Sequence, residues 1–172
     1  MSFSGEVKEE LSRQFATGRH CQIAEIAAIL SFTGRIEGIQ GGKSLRMYTE
    51  NISLARKYFM LMRKTFHADV TISVRQNVYL HKNRIFMVSL SEPKQMQQVL
   101  QAVKWQNSRQ EDIRTEELAN RLLVQKFCCR RAFIRGAFLS AGSMSDPEKA
   151  YHFEIVCRSQ ERARQLQEIV NS

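Results

Sequence analysis

The strongest constraint on the fold is an internal repeat: glycines that end apolar helical stretches recur at Gly34 and Gly142, 108 residues apart. The stretches they close, Cys21–Thr33 and Cys129–Ala141, are rich in small and branched apolar residues. Seventeen residues after each glycine stands a capping side chain, Asn51 in the first copy and Ser159 in the second. Such side-chain oxygens accept from an orphan N–H of the first helical turn, so each marks a helix start. Ala55-Arg56 then falls in register with Ala163-Arg164, and Leu45 and Met47 with Phe153 and Ile155. A unit of helix, strand pair and helix, written twice in one chain, predicts two halves about a pseudo-twofold axis, like a homodimer fused into one polypeptide.

Local patterns fill in the units. Val7, Leu11 and Phe15 recur every four residues and predict an amphipathic helix over 4–16, with Glu6, Glu9 and Glu10 near its positive end. Helix 21–33 follows, then a hairpin turn at Gly38, Gly41 and Gly42 into an alternating strand, 44–49. Asn51 opens a helix to about residue 66. Val70, Ile72 and Val74 share a face of strand 69–76; Ile85, Met87 and Val88 lie in a second strand after a turn near 81–83, and Pro93 opens a helix to about Val103. Residues 104–117 are polar and aperiodic, a linker, and a basic helical stretch over 118–141 is expected to break near Cys128. A turn at Asp146-Pro147, a strand near 151–157 and a helix from Ser159 complete the second unit. That unit ends at Ser172, the counterpart of Lys64, so strands 69–76 and 83–90 have no second copy, and the sequence reads as a fragment prone to self-association. The divisions are a first repeat with its N-terminal helix over 1–103, a linker and helix over 104–127, and a shortened second repeat over 128–172.

Charge narrows the partners. Twenty-six Lys and Arg against 17 Asp and Glu leave +9 at pH 7, a balance that favours polyanions because neutralised phosphates release condensed counterions. No stretch approaches the roughly 18 apolar residues of a membrane span, and the early Glu6, Glu9 and Glu10 exclude a signal peptide. A cytoplasmic protein without membrane contact is expected. Cys21, Cys128, Cys129 and Cys157 form no C-x-x-C pair and have no histidine at zinc-finger spacing, so they read as reduced thiols and no metal site is expected. His20, His67, His81 and His152 are scattered, with no cysteine–histidine partnership, and no phosphate-binding loop or nucleotide fingerprint is present. No cofactor and no small-molecule substrate follow from these residues.

The two Gly-terminated helices carry the most specific motif. Ala27, Ala28, Ser31 and Gly34 on one, and Gly136, Ala137, Ser140 and Gly142 on the other, are small enough for two helix backbones to approach closely. Paired helices of this kind, each feeding strands, resemble the LAGLIDADG homing endonucleases. The stretch from Cys128-Cys129-Arg130-Arg131 through Gly142-Ser143 to Asp146-Pro147-Glu148-Lys149 and Tyr151-His152-Phe153-Glu154, with the opening Ser2-Phe3-Ser4-Gly5-Glu6-Val7-Lys8-Glu9-Glu10-Leu11, resembles the WhiA family over essentially the whole chain. The resemblance implies an α+β, LAGLIDADG-like fold of two pseudo-symmetric αββα(ββ) repeats, the second incomplete, with the small-residue helix pair at their interface. It also implies a bacterial regulator of sporulation and cell division, from a family of which some members bind promoter DNA, in which a C-terminal helix-turn-helix follows the portion represented here.

LAGLIDADG nucleases hold their divalent ions with one acid at the foot of each paired helix, just before the terminal glycine. Those positions are Thr33 and Ala141 here, and neither can replace a carboxylate that activates water or steadies a leaving oxygen. Glu37 and Asp146 lie three and four residues beyond the glycines, away from the helix feet. No enzymatic activity is expected. In the fold resembled, strands form a saddle over duplex DNA, so the outward positions Ser44, Arg46 and Tyr48, then Thr71, Ser73 and Arg75, with Lys82 and Arg84 bordering the next strand, are candidate contacts. Arg130, Arg131 and Arg135 form a separate basic cluster. The partners expected are double-stranded DNA at the nucleoid and regulatory proteins. The alternatives are a protein-interaction module without DNA affinity and an active homing endonuclease.

Overall fold

The computed structural model describes residues 2–76 and 83–172. Its elements are α1 Phe3–Ser12, α2 Arg19–Thr33, β1 Gly34–Ile39, β2 Gly42–Thr49, α3 Ile52–Phe66, β3 Thr71–Gln76, β4 Arg84–Leu90, α4 Pro93–Ala102, α5 Phe127–Ala141, β5 Gly142–Met144, β6 Phe153–Ile155 and α6 Gln160–Asn171, with a 3-10 turn at Arg121–Val124. β1 to β4 form an antiparallel sheet in the order β1-β2-β4-β3, and β5 pairs β6 in a second sheet. This is the α+β class expected.

The repeat reaches the hydrogen-bond register. In the first hairpin Gly34 pairs Met47 and Ile36 pairs Leu45; in the second Gly142 pairs Ile155 and Met144 pairs Phe153, each residue 108 positions after its counterpart. Both helices run straight into their strands because Gly34 and Gly142 have no Cβ. A Cβ there would come within 2.7 Å of Leu30 or 2.2 Å of Phe138, on the helix's own last turn. Gln40 and Gly41 turn the first hairpin, and Gly41 takes φ 89°, which a residue without Cβ reaches at no steric cost.

Three apolar clusters hold the halves. The largest packs Ile26, Ile29 and Leu30 of α2 and Tyr58, Leu61 and Met62 of α3 against Leu45, Met47, Val88 and Leu90 of the sheet. A second gathers Phe133 and Ala137 of α5, Ala28 of α2, Leu166 and Ile169 of α6, and Leu118 and Val124 of the connection. The third, Cys21 and Ala24 against Cys129 and Ala132, lies between α2 and α5. The two helices approach closely at Gly136, where a Cβ would stand 2.7 Å from the Glu25 carbonyl oxygen and 2.9 Å from the Ala28 Cβ.

Several sequence expectations are corrected. α1 stops at Ser12 and not near 16, because the main-chain carbonyls of Leu11 and Gln14 turn to the buried Lys57 ammonium. The stretch 118–141 does break close to Cys128, before α5 starts at Phe127, but its first part is a buried bend at Leu118 and Ala119 followed by the 3-10 turn at Arg121–Val124 and not an α-helix. Residues 104–117 are more than a spacer, since Trp105 packs on the core and Gln106 bridges Asp112. On β4 the inward residues are Phe86, Val88 and Leu90, so Ile85 and Met87 face outward. Ile72 and Val74 share the inward side of β3 but are exposed, on the edge strand of the sheet. Residues 81 and 82 of the expected turn lie outside the described residues.

Candidate nucleic-acid interface

Strand alternation sorts the first sheet into two faces. Leu45, Met47, Val88 and Leu90 enter the core. The opposite face carries Arg35 and Glu37 from β1, Arg46 and Tyr48 from β2, and Ser73 and Arg75 from β3. Register sets the contacts there: Arg35 pairs across from Arg46, and its guanidinium lies 5.5 Å from the Tyr48 ring centroid. Arg46 Nη1 donates to Glu37 Oε2 at 3.0 Å and Tyr48 Oη donates to Glu37 Oε1 at 2.6 Å. The Tyr48 hydroxyl and Arg46 hold the Glu37 carboxyl below its usual range. Glu37 is therefore a fixed anion that orients Arg46 and Tyr48. Arg35 and Arg75 are exposed and make no ion pair among the described residues.

The second hairpin repeats this geometry with different chemistry. At the positions of Arg35 and Arg46 stand Ser143 and Glu154, which pair in β5–β6, and His152 Nε2 lies 3.7 Å from Glu154 Oε1. Basic character is confined to the first sheet. Where α2 and α5 meet their strands, Thr33 donates its hydroxyl to the Ile29 carbonyl at 2.6 Å, and Ala141 offers no donor. Glu37 is on β1, committed to Arg46 and Tyr48, so neither helix foot presents a carboxylate.

Other predicted residues lie elsewhere. Ser44 is fully buried, donating to the Leu90 carbonyl and accepting from Ser91 and Arg46. Arg84 is exposed but pairs across from Gln76, on the face opposite Arg75; Lys82 lies outside the described residues. Arg130 donates to the carbonyls of Val124 and Gln125 and braces the 3-10 turn. Arg131 is exposed beside Phe127 at the start of α5, roughly 15 Å along the axis from Ala141 at 1.5 Å per residue. Arg130 and Arg131 therefore do not share the sheet surface.

Arg135 turns to its partner helix, where its Nε donates to Glu25 Oε2 at 2.8 Å. Glu25 is 1% exposed and its other oxygen lies 3.3 Å from Lys57 Nζ, itself fully buried. Lys57 also donates to the carbonyls of Leu11 and Gln14 and stands 4.4 Å over the Phe15 ring. Burial pushes its ammonium below the usual lysine range, and Glu25 opposes that. Arg135 thus closes a buried Lys57–Glu25–Arg135 triad joining α1, α2, α3 and α5.

The helix-pair residues divide. Ala28, Gly136 and Ala137 face the opposing helix or its cluster. Ala27 belongs to the first half's core, and Ser31 donates to the carbonyls of Ala27 and Leu118. Ser140 bonds back to Gly136, and Gly34 and Gly142 pack on their own helices. The contacting stripe runs instead through Cys21, Ala24 and Ala28 against Cys129, Ala132 and Gly136. Cys–His partnership, not expected from local spacing, is present: His20 Nδ1 lies 3.3 Å from Cys21 Sγ, 3.2 Å from Cys129 Sγ and 3.9 Å from Cys128 Sγ. Sequence reading also passed over Arg35. The strand register puts it beside Arg46, and the hairpin turn at Gly41 was the available signal.

Two helix-and-hairpin units in matching register, joined by close-packed helices and lacking an acid at either foot, define a LAGLIDADG-like domain without the nuclease's metal-holding pair. The chain belongs to the WhiA family. The WhiA N-terminal LAGLIDADG-like domain matches residues 19–104 and the WhiA LAGLIDADG-like domain matches 130–172. A "Probable cell division protein WhiA" of Lachnoclostridium phytofermentans is 48% identical across 100% of this chain and 55% of its own length. Its namesake in Alkaliphilus oremlandii is 36% identical across 99% of this chain and 54% of its own length. The chain thus spans about half the length of these curated relatives. The crystal structure of full-length DUF199/WhiA from Thermatoga maritima superposes with a TM-score of 0.68 at 20% identity, over 99% of this chain and 50% of that one. The N-terminal LAGLIDADG domain of DUF199/WhiA gives 0.65 at 19% identity, over 99% and 74%. Both establish the shared fold. No helix among the described residues is long and apolar enough to cross a membrane.

Proposed function

We propose that this chain is the non-cleaving, DNA-facing portion of a bacterial regulator of cell division and sporulation, acting at the nucleoid. The observation that carries the reading is the outer face of the first sheet, where Arg35, Arg46 and Arg75 stand with Tyr48 and Ser73, while the helix feet hold Thr33 and Ala141. Phosphates would be met by Arg35 and Arg75, with Arg46 and Tyr48 held in place by Glu37. Cleavage is not part of the reading, because no carboxylate stands at either foot to hold the ions that activate water.

The test is fluorescence anisotropy on a random duplex, titrated with salt in the presence of Mg²⁺. Phosphate contacts by Arg35, Arg75 and the Glu37-held Arg46 give a log–log salt slope of roughly −3 and micromolar affinity at low salt. Arg35→Glu with Arg75→Glu flattens that slope by about 2. Absence of binding at low salt overturns the proposal, and nicked DNA overturns its non-cleaving part. One observation favours a second reading, a protein-interaction module: Glu154 takes the place of Arg46 in the second hairpin and Glu37 occupies Arg46 in the first. On that reading neither salt nor Arg35→Glu changes DNA association, because there is none.

A further inference from the structure

The N-terminal ends of α2 and α5 converge on four donor atoms. His20, Cys21, Cys128 and Cys129 each offer one, and all four lie within 4.8 Å of one another. The repeat explains the convergence, since Cys129 is the counterpart of Cys21 and Cys128 the counterpart of His20, 108 residues on. Each half supplies two neighbouring ligands across the pseudo-dyad.

We propose that these four residues bind one thiophilic divalent cation, zinc by its chemistry, which staples the two halves at the end of the helix pair remote from the sheets. Zinc bonds of about 2.3 Å to sulfur and 2.0–2.1 Å to nitrogen at tetrahedral angles put donor atoms roughly 3.5–3.8 Å apart. His20 Nδ1 stands 3.2, 3.3 and 3.9 Å from the three sulfurs, spacing that admits the ion with side-chain adjustments alone. The imidazole has room because residue 18 is glycine; a Cβ there would stand 3.1 Å from His20 Nε2. Cys21 and Cys129 are buried while His20 and Cys128 are exposed, so the ion has a way in.

Helix capping supplies an independent argument. α1, α3, α4 and α6 each begin with a side chain that accepts from the first turn, from Ser2, Asn51, Glu92 and Ser159. α2 and α5 do not: their N-caps are Gly18 and Lys126, without a side-chain hydrogen bond, and neither first turn holds an acid. Both positive helix ends therefore carry no compensating side chain beside the sulfurs. Three thiolates, one neutral imidazole and a divalent ion carry one net negative charge, the sign that two helix N-termini stabilise. Three thiolates with one imidazole select zinc over magnesium or calcium, which require oxygen. At roughly 19 Å of helix from Thr33 and Ala141 (about 12 to 13 residues at 1.5 Å each), the ion is structural and takes no part in phosphate chemistry.

The test uses the 172-residue chain, purified reduced and without chelator. Elemental analysis is expected to return about one zinc per chain. Cobalt reconstitution is expected to show the intense visible bands of a tetrahedral site together with thiolate-to-cobalt charge transfer. Cys128→Ser, at an exposed position, keeps the far-ultraviolet circular dichroism and loses the cobalt spectrum; His20→Ala does the same, and Cys157→Ser changes neither. Outer-sphere changes alone cost metal sites about 10–100-fold in affinity, so losing a thiolate weakens zinc by more than that. A zinc chelator lowers the Tm of the parent and leaves that of Cys128→Ser unchanged. Failure of the reduced parent to bind zinc or cobalt overturns the proposal, as does a native disulfide at Cys21 or Cys129 detected by mass spectrometry.

Discussion

Glu25→Gln tests whether the buried triad holds the two halves together. The substitution keeps shape and one acceptor oxygen but removes the charge between Lys57, which is fully buried, and Arg135, whose side chain is 21% exposed. Breaking a buried ion pair from one side costs about 3–5 kcal/mol. Arg135 reaches water, and Lys57 keeps the carbonyls of Leu11 and Gln14 and the Phe15 ring, so the lower end, about 3 kcal/mol, is expected. There is also a ceiling, because Lys57 can release its proton. Descending from the usual 10.5 to pH 7 at about 1.4 kcal/mol per pH unit caps the loss near 5 kcal/mol, and at pH 9.5 the cap falls to about 1.4 kcal/mol. Lys57 is depressed in the folded protein, so the unfolded chain binds more protons between the folded value and 10.5, and stability rises with pH through that window. Glu25→Gln lowers the folded value further, so its penalty is largest near pH 7 and shrinks toward pH 10. Urea unfolding at pH 7 and pH 9.5, fitted with a common m-value, measures both. A loss under 1 kcal/mol at pH 7, or one that does not shrink at pH 9.5, would refute the reasoning.

Two further substitutions probe packing. Gly136→Ala gains about 1 kcal/mol of helix propensity but forces its Cβ to 2.7 Å from the Glu25 carbonyl. Overpacking at about 1–3 kcal/mol offsets or exceeds that gain, so denaturant melts should show a net loss of up to about 2 kcal/mol, and a stabilised variant would mean the helices separate freely. Tyr58→Phe should stabilise by about 1 kcal/mol, because the Tyr58 hydroxyl is buried with no hydrogen-bond partner among the described residues and burial pushes its ionisation upward; a drop in Tm would reveal a partner for that oxygen.

The repeat was legible in the sequence because it is written in residues whose roles are local. Gly34 and Gly142 end helices against their own last turns, and Asn51 and Ser159 cap the next ones, so backbone geometry alone fixes the spacing. What long side chains do was not legible. Arg130, Arg131 and Arg135 share one helix and one charge, yet one braces a turn, one is exposed and one enters an ion triad, because a guanidinium on a flexible stem goes wherever a carbonyl or carboxylate waits. Ser44 alternates correctly with Arg46 but is covered by it, a contact no periodicity records. The Cys–His cluster escaped a search for ligands close in sequence, since its halves are 108 residues apart; adding the repeat offset to His20 and Cys21 would have found it.

A homodimer must present the same surface twice and so reads its target alike in either direction. Here the halves share one backbone register while Arg35, Arg46 and Tyr48 on one side answer to Ser143, Glu154 and Val156 on the other. Joining the halves into one polypeptide freed each to change its chemistry without moving a hydrogen bond. A body lying along both hairpins is therefore held with a head and a tail, and turning it end for end yields a different complex.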